Sequence, residues 1–150
     1  MKSKLLMLIV GIGLLLGSCG KKEEEDIIVE DNPNDVSGSS VTTTISGGNW
    51  KVTYFWDTDH DETSDFAGYK FTFAGGGKLN AIKGQDSESG TWGIGTDNSK
   101  TKLIISFPAG GNLDDLNEDW EVVERTKARV KLQHISGGGG GTDFLTFEKN

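Results

Sequence analysis

The sequence predicts an all-β domain, a small antiparallel up-and-down barrel of eight strands, preceded by an N-terminal segment of a different kind. Three observations carry that expectation. From Thr42 onward, apolar and polar residues alternate in short runs, as at Trp50-Lys51-Val52-Thr53 and Tyr69-Lys70-Phe71-Thr72-Phe73. A strand with one buried face has this period of two. Glycine-rich or charged turns separate the runs, and no window of about a dozen residues has the 3.6-residue period of an amphipathic helix.

The N-terminal segment comes first in the chain. Lys2 and Lys4 precede Leu5 to Leu16, a run that is wholly apolar or glycine. It is shorter than the roughly 20 residues a spanning helix needs, and its length and flanks fit a secretory signal. Leu16-Gly17-Ser18-Cys19 resembles a bacterial lipobox, which implies lipid attachment to Cys19 and cleavage before it, with residues 1–18 as signal peptide. Cys19 is the chain's single cysteine, so an intramolecular disulfide is excluded. Two or more acyl chains anchor firmly, at about 0.8 kcal/mol per buried methylene.

Of the chain's 15 basic residues the signal holds Lys2 and Lys4, leaving 13 against 23 acidic, net −10 in place of −8. Residues 19–41 read as an acidic flexible tether, with Glu23, Glu24, Glu25, Asp26, Glu30, Asp31 and Asp35 opposed only by Lys21 and Lys22. "KKEEED" after the cysteine resembles the export signal of some Bacteroidetes surface lipoproteins. It implies an outer-membrane location with the domain facing outward, a periplasmic orientation being the alternative. The acidic balance argues against a nucleic-acid partner, whose phosphates require neutralising.

The domain is expected over residues 42–150. Trp50, Val52, Tyr54 and Trp56 are placed on one strand face, with Phe55 interrupting. Tyr69, Phe71 and Phe73 follow, then a Gly75–Gly77 turn and Leu79 to Lys83. Trp92 and Ile94, then Leu103, Ile105 and Phe107, continue the alternation. Trp120 with Val122, Val130 with Leu132, and Leu145 with Phe147 mark the last strands, and Leu113 to Leu116 fits a single helical turn. Consecutive hairpins that hide their edges favour a closed barrel over a β-sandwich, the runner-up.

"SGGNWKVTYF", "YKFTFAGGGKL", "SGTWGI", "KLIISF", "LNEDWEVVERTKARVKL" and "DFLTFEK" together resemble the lipocalin-like lipoproteins of Bacteroidetes. The resemblance covers about residues 45–149. It implies an eight-stranded calycin-type barrel, with Gly48 and Trp50 matching the opening Gly-x-Trp whose tryptophan closes one barrel end. The short loops leave little room for the deep cup of a large-ligand carrier.

The residues offer little for catalysis. Asp57, Asp59 and Asp61 alternate as in a calcium loop, but Glu62 stands where an EF-hand needs glycine and Gly68 where it needs glutamate. That leaves a loose hard-cation site as the most they could form. His60 and His134 are the two histidines, and with Cys19 assigned to lipid no zinc centre or other cofactor is expected. There is no GxSxG elbow. The pairs Asp114–Asp115 and Glu118–Asp119 read as loop surface rather than general acids. Trp50, Tyr54, Tyr69, Phe71, Trp92 and Trp120 either fill the barrel or line an apolar pocket. The expectation is a non-enzymatic envelope lipoprotein that binds a small apolar ligand or a protein partner. The alternatives are an adaptor with a solid barrel and a carboxylate-dependent hydrolase.

Overall fold

A computed structural model describes residues 32–137 and 140–150. The signal peptide, Cys19 and most of the expected acidic tether fall outside the described residues. A short helix α1 (Gly38–Ile45) precedes the strands β1 (Trp50–Asp57), β2 (His60–Asp61), β3 (Lys70–Ala74), β4 (Lys78–Lys83) and β5 (Asp86–Asp97). The strands β6 (Lys100–Ser106), β7 (Asp119–Arg125), β8 (Arg129–Ile135) and β9 (Thr142–Lys149) follow.

From β3 to β9 each strand pairs antiparallel with the next, and β1 closes the ring against β9 from Trp50↔Lys149 to Trp56↔Phe144. The result is a closed eight-stranded barrel rather than a sandwich, with β2 a two-residue partner to the end of β1. The other seam of β1 is narrow. It shares one register pair with β3, Trp50↔Phe71.

The interior is filled by side chains. Trp50, Phe71, Phe73, Leu79, Leu103, Ile105, Trp120, Val122, Val130, Leu132, Leu145 and Phe147 are almost wholly buried. Phe147 packs edge-on against Phe71 and Phe73, each at 5.4 Å between ring centroids, contacts of roughly 0.5–1.5 kcal/mol beyond area burial. Eight strands enclose just enough space for side chains to fill.

Two β-bulges change which residues point inward. In β1 the register against β9 shifts between Val52 and Tyr54. The alternation expected to put Tyr54 and Trp56 beside Trp50 is thereby reversed. Phe55 enters the core at 2% exposure, while Tyr54 lies outside at 39%. In β7 the register shifts between Val122 and Glu124, and Arg125 is buried at 1% exposure.

The fold also begins before residue 42. Val36 packs against the core and Val41 belongs to it, so the last part of the expected tether is structured. The sequence "GSSVTTTI" is a poor helix by propensity, rich in β-branched residues and serine. It is helical because Val41, Thr44 and Ile45 plug the barrel floor. Trp50 Nε1 donates to the Ile45 carbonyl at 2.8 Å, fixing the plug to β1. Arg125 is the second attachment, donating to the Asp35 carbonyl at 2.7 Å and to Thr44 Oγ1 at 3.0 Å.

Candidate functional site

At the end of the barrel opposite α1, the inward register continues past the apolar core. On β8 the inward series Val130, Leu132 reaches His134, and on β9 the series Phe147, Leu145 reaches Asp143. The two residues are register partners. On β1, Phe55 is followed two residues later by Asp57, and Glu118 precedes Trp120 on the β7 side. The last inward layer is thus a polar mouth above a dry core.

His134 is the centre of that mouth. Its Nε2 lies 3.5 Å from Glu118 Oε2 and 4.0 Å from Asp119 Oδ1. Its Nδ1 faces Asp143 Oδ2 at 3.5 Å, and this buried nitrogen makes no hydrogen bond. Asp143 is itself held, because its Oδ1 accepts from the Thr58 backbone N–H at 2.8 Å and from Thr58 Oγ1 at 3.2 Å. The Trp120 ring stands edge-on to the imidazole at 6.2 Å, and its Nε1 donates to the Leu116 carbonyl at 3.0 Å. Leu116 ends the short 3-10 turn Asp114–Leu116, the single turn foreseen between Leu113 and Leu116.

Asp57, Asp114, Asp115, Asn117 and Glu118 line one cleft of about 260 Å³ with Trp120 and Asp143. Partial burial raises the Asp115 carboxyl above the ordinary aspartate range, and the charges of Asp114, Glu62, Asp57 and Asp65 add to the shift. The mouth therefore carries a concentrated negative field.

The aspartates singled out in the sequence take other parts. Asp61 Oδ1 accepts from the Thr63 backbone N–H at 2.8 Å, and its carboxyl is lowered chiefly by hydrogen bonding to the Thr63 hydroxyl. Asp59 and Glu62 flank the exposed His60 ring, one at each nitrogen. Their hydrogen bonds, that of Asp59 first, raise its pKa. Among the described residues, the group whose ligand atoms converge within 4.8 Å is Glu118, Asp119 and His134.

Of the aromatic candidates, Trp50, Phe71 and Trp120 are core. Tyr69 is buried beneath Lys83, whose Nζ lies 4.9 Å from the ring centroid. Trp92 is half-buried, edge-on to Phe73 at 5.7 Å and donating to the Ala74 carbonyl at 2.9 Å. Tyr54 alone faces outward, into a groove of about 480 Å³ on the outer wall of β1, β9, β8 and β7. Val123, Phe144 and Thr146 share that groove with the side chains of Arg129 and Lys131.

No protein-family model and no curated protein sequence matches the chain. Among solved structures, the chain is similar to a DUF4847 family protein from Bacteroides vulgatus, at 16% identity and a TM-score of 0.48. The match covers 73% of this chain and 97% of that one. The pairing of β1 with β9 closes the barrel independently of that likeness.

The sequence alone carries one pointer to the His134 mouth. Its signal was the inward parity of Val130-Leu132-His134 and Phe147-Leu145-Asp143, which needs only the core alternation carried one step further.

Proposed function

We propose that this chain is a non-enzymatic lipoprotein of the bacterial cell envelope, anchored at Cys19, whose solid barrel docks a protein partner on its outer wall. What supports docking over carriage is the contrast between the two faces of the barrel. The inner face is occupied by its own aromatic and aliphatic side chains, whereas Tyr54, Val123 and Phe144 remain exposed together along the outer groove. Carrier sites enclose most of their ligand's surface, and a groove on the outward face of four strands offers a wall rather than an enclosure. The groove is bordered by charge. Glu124 pairs with Arg129 at 2.6 Å and Lys131 at 2.9 Å, a polar rim of the kind that surrounds apolar interface centres.

Two measurements test this reading. Labelled palmitate should be incorporated by the full chain and lost in C19S, which should also leave the membrane fraction. A photo-crosslinking residue at position 54 or 144 should yield one discrete adduct mass in cells. The same residue at position 82 or 104, exposed elsewhere on the barrel, should not. Equal adducts from both sets, or none from the groove, would refute the docking surface.

A further inference from the structure

We infer that the barrel mouth binds a divalent transition-metal ion, with His134 Nε2, Glu118 and Asp119 as ligands and Asp143 as the carboxylate behind the imidazole. This inference does not depend on the outer groove or on the lipid anchor. Bonds of about 2.1 Å at tetrahedral angles put ligand atoms roughly 3.4 Å apart. His134 Nε2 stands 3.5 Å from Glu118 Oε2 and 4.0 Å from Asp119 Oδ1, and the three ligand atoms lie within 4.8 Å of one another. The longer distances involve groups free to adjust, since the Asp119 side chain is about half exposed and that of Glu118 only slightly less. The other oxygen of Asp119 faces Lys102 Nζ at 3.9 Å, leaving Oδ1 toward the histidine.

The far side of the ring carries the second line of support. A metal-bound histidine usually gives its other ring N–H to a carboxylate or carbonyl, which fixes the tautomer and strengthens the ligand. Asp143 is in that place, 3.5 Å from a buried Nδ1 that makes no hydrogen bond, and it is anchored from behind by Thr58. Closing that gap by a few tenths of an ångström would complete a Thr58–Asp143–His134–metal relay. Trp120 limits how the imidazole can turn.

The donor set selects the class of ion. Calcium and magnesium take oxygen ligands, and an imidazole nitrogen suits zinc, nickel or copper. Three protein ligands at a solvent-facing mouth leave at least one coordination position for water or for a carboxylate of a docked molecule. The surrounding Asp57, Asp114 and Asp115 raise the local concentration of cations.

The test is zinc alone titrated into the full C19S chain, so that no thiol competes, read by calorimetry and by competition with a chromophoric chelator. One zinc should bind per chain. H134Q should weaken binding at least a hundredfold and D143N ten- to a hundredfold, the range for loss of such a supporting carboxylate. H60A, which removes the imidazole from the exposed His60–Asp59–Glu62 group, should change it less than twofold. E118Q, at the rim, provides a second ligand variant if H134Q destabilises the barrel. Proton–nitrogen correlation spectra should show Nε2 of His134 as the coordinated nitrogen. Binding that survives H134Q and E118Q but is lost in H60A would overturn the assignment, as would no binding at about 1 mM zinc.

Discussion

Arg125 is the residue whose removal should most clearly separate the helical plug from the barrel. Its side chain is 1% exposed and reaches out of β7 to the segment before β1. Nε donates to the Asp35 carbonyl at 2.7 Å, Nη1 to Thr44 Oγ1 at 3.0 Å and Nη2 to the Asn32 carbonyl at 3.4 Å. The Asp35 carboxylate is 3.5 Å from Nη2. Hydrogen bonds from a charged donor contribute about 1.5–3 kcal/mol each, and stripping one member from a buried charged set costs about 3–5 kcal/mol. R125A should therefore lose about 3–5 kcal/mol, a hundredfold or more in the unfolding equilibrium. R125K should recover less than half of that, because a single ammonium cannot serve acceptors fanned across a guanidinium. D35N should cost less than R125A, since the Asp35 carboxyl is lowered first by Ser40, then by Ser37, and only last by Arg125. Urea denaturation gives the energies, and amide hydrogen exchange shows where they act. In R125A the amides of α1 should lose protection before those of β6 to β9. A loss below about 1 kcal/mol, or a larger one that leaves α1 protected, would refute the plug-anchoring role.

Three other outcomes follow from the packing and the mouth. The bulge in β1 predicts that F55A costs about 3–5 kcal/mol while Y54A changes stability by no more than about 0.5 kcal/mol. Simple alternation through β1 would give the reverse order in thermal or urea melts. G90A should destabilise by about 1–3 kcal/mol, because a Cβ there would collide with the Ser106 carbonyl oxygen and lie 2.8 Å from Phe107 Cδ1. A melting temperature equal to that of the parent chain would contradict this packing. Asp115 has a raised pKa in the fold, so its charged form opposes folding. The penalty is complete above the folded pKa, shrinks as pH falls through it, and is gone below the unfolded value near 3.8. D115N should thus stabilise slightly at neutral pH, by up to about 0.5 kcal/mol, and the difference should vanish near about pH 3. Destabilisation by D115N at pH 7 would show that the carboxylate is held by something other than its neighbours.

The strands were legible because a half-buried antiparallel strand imposes its period on the sequence. Phe71-Phe73, Leu103-Ile105 and Leu145-Phe147 needed no structure to be placed inward. The bulges were not legible, since an extra residue leaves composition and spacing almost untouched while reversing every side chain beyond it. Tyr54, Phe55 and Arg125 were therefore the positions where alternation failed. Helix α1 was hidden for another reason. Its stability comes from Val41 and Ile45 meeting the barrel floor, a long-range contact that local propensity does not record. At the mouth, the parity of His134 and Asp143 was present in the sequence. Their approach to Glu118 and Asp119 also required the pairing of β7, β8 and β9 in consecutive hairpins.

The attachment of residues 32–45 also decides how the domain meets mechanical load. A pull applied on the N-terminal side of Asn32 does not reach β1 directly. It arrives first at the carbonyls gripped by Arg125, then at Val41 and Ile45, and only after these release does it reach Gly48 and Trp50. Those contacts would yield in succession, and the first load enters the closed ring through the Arg125 guanidinium on β7 rather than along β1. Release of residues 32–45 would lengthen the connection by more than a dozen residues while the β1–β9 pairing that closes the barrel still stood.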